Sequence, residues 1–191
     1  MSAVTGADLW EAAEEMTRVL LPHRARDWSV PAGSLTWSCW TTGAHVAHDL
    51  LAYAGQVTGR PDDRYLPFDL RVCADASPTQ VLTVVRACAG LLATAVDAAP
   101  PDTRAWHFGP CDPAGFAAMG VAETLLHTHD ITSGLGVPWQ APQRLSALVL
   151  RRLFPDAPTG AAPEVLLWMT GRGELPGRAR RTSWVWRAAV D

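Results

Sequence analysis

The chain contains no lysine: all sixteen of its positive charges are arginine, a coding bias from which no chemistry follows. It has no excess of positive charge either. The formal net charge is −3, and the arginines are scattered apart from a loose cluster at Arg172, Arg178, Arg180 and Arg181, so no electrostatic footprint of nucleic-acid binding is present. No apolar run approaches the roughly 18 residues of a membrane span. The most apolar stretch, residues 81–96, is interrupted by Arg86, is rich in alanine and reads as a buried helix. The opening residues carry Asp8, Glu11, Glu14 and Glu15 and lack the basic start and apolar stretch of a signal peptide. Cysteine is sparse: Cys39, Cys73, Cys88 and Cys111 stand far apart with no CxxC pair, which favours free buried thiols and a cytoplasmic location. A GxSxG elbow, a phosphate-binding glycine loop, a dinucleotide fingerprint, internal repeats and low-complexity tracts are all missing.

What remains is 191 residues, 48% apolar and 18% charged, a globular composition sized for one domain with a sizeable core. Leu9, Ala12, Ala13, Met16, Val19 and Leu20 recur at three- and four-residue spacing and predict a first helix over residues 7–24, broken by Pro22 and the stretch 27–33. A second helix should begin near Trp37 and Ser38 and end about Thr58, where Gly59 and Pro61 stop it. Residues 61–77 read as a loop with a short extended piece over 68–72. Ser77 followed by Pro78 is a cap-and-proline start for a third helix, which ends before Pro100 and Pro101. Residues 106–113 read as a loop, and Asp112 with Pro113 opens a fourth helix running to Ser133 and closed by Gly134 or Gly136. A short helix over 143–153, a linker over 155–163, a helical turn over 164–170 and a partly alternating tail over 182–190 follow. In that tail Trp184 and Trp186 would share one face of a strand.

Four long helices without reliable strands between them predict an all-α fold, a four-helix bundle over residues 1–154 with a short C-terminal extension over 155–191 packed on it.

Four of the six histidines cluster. His45 and His48 lie in the second helix, and His127 and His129 lie in the fourth, where Glu123 stands four residues before His127. At that spacing a carboxylate and an imidazole project from one helical face and can reach one metal ion. Glu123 sits on a largely apolar helix, and a buried carboxylate there needs a partner. The facing helix supplies a third ligand in His45, or in His48 one turn further on. Two imidazoles and one carboxylate with an open fourth position describe a catalytic zinc site, and nickel, iron, manganese or cobalt would also fit.

Trp37-Ser38 followed by Ala44-His45-Val46-Ala47, then the stretch 109–136 (GPCDPAGFAAMGVAETLLHTHDITSGLG), then Leu166 to Arg172 (LLWMTGR), stand in an order and spacing that resemble the mycothiol-dependent maleylpyruvate isomerase N-terminal domain family, within the DinB-like superfamily. The resemblance covers most of residues 5–172 and implies a DinB-like bundle whose metal ligands are His45, Glu123 and His127. It gives Asp130 a supporting or capping role. His48 departs from the pattern as a competing ligand, and His129 stands where the family commonly has tryptophan.

The resemblance further implies thiol chemistry: a low-molecular-weight thiol such as mycothiol would bind the metal as thiolate and attack an electrophilic small molecule, giving transfer or isomerisation. Water is the alternative nucleophile. His48 and His129 are the expected proton carriers. A non-catalytic metal- or ligand-binding module, with the fourth position filled, is the other reading. Cys39 is expected to be an inert buried thiol and the nine tryptophans to serve as core and rim packing, with a substrate-pocket wall as the lesser reading for Trp37 and Trp40; the arginine cluster is expected to belong to a solvated tail, with anion binding as the lesser reading. The expected partners are a small-molecule substrate and, in a homodimer, a second copy of the chain, with no nucleic acid and no membrane.

Overall fold

In the computed structural model, which describes residues 3–190, the first helix α1 (Gly6–Leu20) buries the expected stripe of Leu9, Ala12, Ala13, Met16, Val19 and Leu20. Its backbone tightens into a 3-10 turn at Leu21–His23, where Pro22 withholds a hydrogen-bond donor. The second helix, α2 (Cys39–Gly59), is capped by Ser38, whose side chain accepts from the Thr41 amide, and ends where Arg60 takes a left-handed conformation (φ 51). In α3 (Pro78–Ala98) the Ser77 cap and Gln80 form a reciprocal capping box ahead of Pro78. The α4 helix (Pro113–Gly134) is capped by Asp112. Two shorter helices follow, α5 (Gln143–Leu153) and α6 (Ala162–Met169).

Around the bundle, α1 packs between α3 and α4, and α2 packs between the same two, so α1 and α2 lie diagonally opposite one another. The long connection over residues 24–38 makes this crossover possible. The α4 helix is central, touching α1, α2, α3 and α5, and residues 115–128 and 130–132 are all buried. A helix enclosed on every side must be apolar nearly all round, and its few polar groups must be satisfied internally. That places Glu123 and His127 where they need partners.

Two expectations are corrected. Residues 106–113 are not all loop: β1 (Ala105–Trp106) and β2 (Pro110–Cys111) pair antiparallel, with Phe108 (φ 53) and Gly109 (φ 141) turning the chain between them. Residues 68–72 lie in the loop expected there and pair with no strand. The tail over 182–190 likewise makes only an isolated bridge, Ala189 to Cys111, although Trp184 and Trp186 do sit together with ring centroids 5.5 Å apart. The tail is tied to the bundle by Arg187 N–H donating to the Leu153 carbonyl (2.8 Å) and Val190 N–H to that of Pro110 (2.8 Å).

The α3 helix is long and apolar enough, by length and composition, to cross a membrane, Arg86 notwithstanding. Here it serves as a bundle helix, burying Val81, Leu82, Val85, Cys88, Ala89, Leu92, Ala93 and Val96. Cys39, Cys88 and Cys111 are buried and free, whereas Cys73, on the loop before α3, is exposed.

Candidate metal centre

His45 on α2 and Glu123 and His127 on α4 each present one ligand-type atom, and these atoms lie within 4.8 Å of one another. The helical spacing from Glu123 to His127 brings Glu123 Oε2 to 3.1 Å from His127 Nε2. The third member crosses from the facing helix: the His45 and His127 rings meet edge to face at 5.2 Å between centroids. Glu123 and His127 are buried, while His45 is half-buried and stands at the edge of a cleft of about 440 Å³. Trp37, Trp40, His48, Asp69, Leu70 and Arg71 also line this cleft. Trp37 packs edge-on to His45 at 4.8 Å between centroids, so Trp37 and Trp40 stand at the cleft wall and not only in core and rim packing.

The orientation of His127 comes from behind. Its Nδ1 faces Asp130 Oδ2 at 2.9 Å, which leaves Nε2 turned toward Glu123. Arg172, beyond α6, grips Asp130 with Nε donating to Oδ1 (3.0 Å) and Nη2 donating to Oδ2 (2.9 Å). Burial opposes charge on His127, but hydrogen bonds to Asp130 and Glu123 outweigh it and push its pKa up to about 9. Glu123 is raised most by its burial, yet the hydrogen bond from His127 and the charges of His127, His45 and Arg172 carry it below the usual carboxylate range. Asp130 is lowered in the same way by His127 and Arg172 against its own burial.

Further residues at the centre were not singled out for a role from the sequence. Asp49 Oδ2 lies 3.2 Å from His45 Nε2, one turn along α2. Burial, then repulsion from Glu123, raises the Asp49 pKa against the pull of His45 and His48. The spacing that pairs Glu123 with His127 also pairs His45 with Asp49 and could have flagged it. Tyr53, on the same face of α2, directs its hydroxyl to Glu123 Oε1 at 3.5 Å. The signal for Arg172 was its place at the end of the 166–172 motif, and its inward ion pair corrects the expectation of a solvated tail at that position.

The two candidate proton carriers separate. His48 lines the cleft and sits between Asp49 Oδ1 (2.9 Å) and Asp69 Oδ1 (3.1 Å); with His45 and Asp49 it forms a second cluster of metal-ligand type that shares His45. His129 is not brought to the site. Two residues from His127 it points roughly 200° around the helix, into packing among Leu125, Leu126, Trp139, Ala141, Leu166 and Leu167.

The donor set fits a divalent cation. It offers two imidazoles and a carboxylate, with the far nitrogen of His127 held by a carboxylate, the usual arrangement behind a metal-ligating histidine. The 3.1 Å between Glu123 Oε2 and His127 Nε2 is close to the roughly 3.4 Å edge of a tetrahedron with metal–ligand bonds of about 2.1 Å. The fold and this constellation define a class: an all-α bundle with a candidate three-ligand metal centre at the edge of an open cleft.

The chain belongs to the mycothiol maleylpyruvate isomerase N-terminal domain family, whose model matches residues 9–132, and its fold is DinB-like. No curated protein and no solved structure matches it.

Proposed function

We propose that the protein is a divalent-metal-dependent enzyme that activates a low-molecular-weight thiol of the mycothiol type, or water, for attack on an electrophilic small molecule, with transfer or isomerisation as the outcome. The observation that carries this reading is the convergence of His45, Glu123 and His127 at the edge of an open cleft, with His127 already held from behind by Asp130. These three residues would hold the cation, most simply zinc, though nickel, iron, manganese or cobalt accept the same donors. Bound there, the ion would supply a Lewis acid that lowers the pKa of a thiol or water at neutral pH.

The chain's own groups divide the remaining work. Trp37 and Trp40 wall the cleft and would hold the apolar part of a small substrate. His48, exposed to the cleft and flanked by Asp49 and Asp69, is placed to accept and return a proton. Asp130 and Glu123 keep the His127 ring from turning. The alternative, a non-catalytic binding module, needs the fourth position filled, by His48 or by Asp49, whose Oδ2 lies 3.2 Å from His45 Nε2. His48 instead pairs with Asp49 and Asp69, and neither His48 nor Asp49 joins the cluster of His45, Glu123 and His127, which favours the enzyme. The three buried free thiols accord with a cytoplasmic setting.

The test is metal content by mass spectrometry on protein purified without a polyhistidine tag. About one equivalent is expected in the wild type, lost in His45→Ala and Glu123→Ala and retained in His48→Ala. The His48→Ala protein, still loaded, should lose about a hundredfold in thiol-dependent turnover. Wild-type protein that takes up no metal on reconstitution overturns the reading. Retention in His45→Ala with loss in His48→Ala would move the site one turn along α2.

A further inference from the structure

We infer that Arg172 is a positioning residue of the metal centre, acting through Asp130 to hold the His127 ring with Nε2 toward Glu123 and His45. The inference rests on the metal-centre reading and adds a residue from outside the matched span of 9–132.

The geometry is a continuous buried chain. Arg172 Nε and Nη2 donate to the two oxygens of Asp130 at 3.0 and 2.9 Å, and Asp130 Oδ2 stands 2.9 Å from His127 Nδ1. The side chains are 13%, 3% and 8% exposed, so water does not compete for these bonds. A planar guanidinium engaging both oxygens fixes the plane of a carboxylate, which a single point charge cannot do. A carboxylate fixed in this way demands a proton on Nδ1 of a neutral His127, leaving the Nε2 lone pair for a cation.

Arg172 is itself held. Its amide donates to the Leu167 carbonyl at 2.8 Å as the chain leaves α6, and its guanidinium lies 6.0 Å from the Trp184 ring centroid. Its remaining terminal nitrogen, Nη1, faces the Thr170 carbonyl at 3.4 Å. With its donors committed inward, Arg172 is not available to bind an anionic substrate. The competing role is purely structural, docking the C-terminal segment onto α4.

The two roles separate in one set of measurements on the full-length chain. Zinc affinity is read by competition with a chromophoric chelator, coordination by the ligand-field spectrum of the cobalt(II)-loaded protein, and stability by thermal unfolding without metal. For Arg172→Ala the expectation is a loss of about 10- to 100-fold in zinc affinity and an altered cobalt spectrum. Millimolar guanidinium should restore both, and methylammonium should not. Arg172→Lys keeps the charge and the aliphatic stem if the alanine variant folds poorly. It should still lose about tenfold in affinity because it lacks the fork. Unchanged affinity in both variants overturns the proposal. So does a loss that tracks metal-free stability and that guanidinium does not restore. Failure of the wild type to bind metal refutes the parent reading and takes this one with it, an outcome distinct from failure confined to the Arg172 variants.

Discussion

A single side chain can be buried to different ends, and the four cysteines illustrate this. Burial pushes Cys39 and Cys88 up to about 11, and Cys111 to about 12, the last with Arg152 pulling the other way. Their thiolates are therefore scarce at neutral pH, and a thiol is a poor nucleophile until ionised. Cys73 lies on the surface of the loop before α3. Native protein should therefore react rapidly with one equivalent of a thiol reagent and with four once unfolded, and peptide mapping should place the rapid label on Cys73. Rapid labelling of Cys39 would refute its burial against the Pro31 and Ile131 carbonyls. The histidines divide in a similar way: His127 is fixed by two carboxylates, His48 stands between two others at the cleft, and His129 is packed away.

The helices end where their caps and close contacts require. A methyl group on Gly134, at the end of α4, would run into the Pro31 carbonyl and lie 2.9 Å from Cys39 Sγ and 3.0 Å from Ala32 Cα. Backbone cannot yield there as a flexible side chain could. Gly134→Ala should therefore destabilise the protein by about 1–3 kcal/mol, lowering its melting temperature by several degrees in a thermal scan; an unchanged value would mean the 31–32 loop moves freely. The cap of α3 offers a milder test. Ser77→Ala removes one half of the capping box and should cost about 1 kcal/mol in chemical denaturation. These features were legible before any fold was known. The helix stripes, the proline starts after Ser77 and Asp112, and the stop near Gly59 are local, and local sterics act the same in any tertiary setting. The hairpin at residues 105–111 was not legible, since two residues on each side carry no periodicity.

Stability of the whole molecule should depend on pH through His107, which sits at the hairpin where the loop after α2, α4 and the C-terminal tail meet. Trp186 Nε1 donates to its Nε2 at 3.2 Å, and its Nδ1 bonds the Tyr65 hydroxyl. Burial lowers its pKa from 6.5 to about 4, with the charge of Glu123 pulling weakly the other way. A group whose folded pKa lies below its unfolded value binds more protons when unfolded, so stability falls as pH drops from about 6.5 toward 4 and levels off below. The loss should be on the order of 2 kcal/mol. Denaturant melts at pH 7 and pH 4.5 would show it, and His107→Gln should flatten the slope between them. An equal slope in the variant would assign the acid sensitivity to other groups.

The sequence by itself determined that the chain forms long helices, which faces of α1 and α3 are apolar, and that a carboxylate and an imidazole share one face of α4. Each follows from rules acting over one or two helical turns. Only the tertiary structure decided which second-helix histidine meets that pair, because the rotation of α2 about its axis is set by packing against α3 and α4. It alone brought Arg172 to Asp130, 42 positions earlier in the sequence. Such partners are chosen by where helices cross, and a crossing depends on residues distributed over the whole chain.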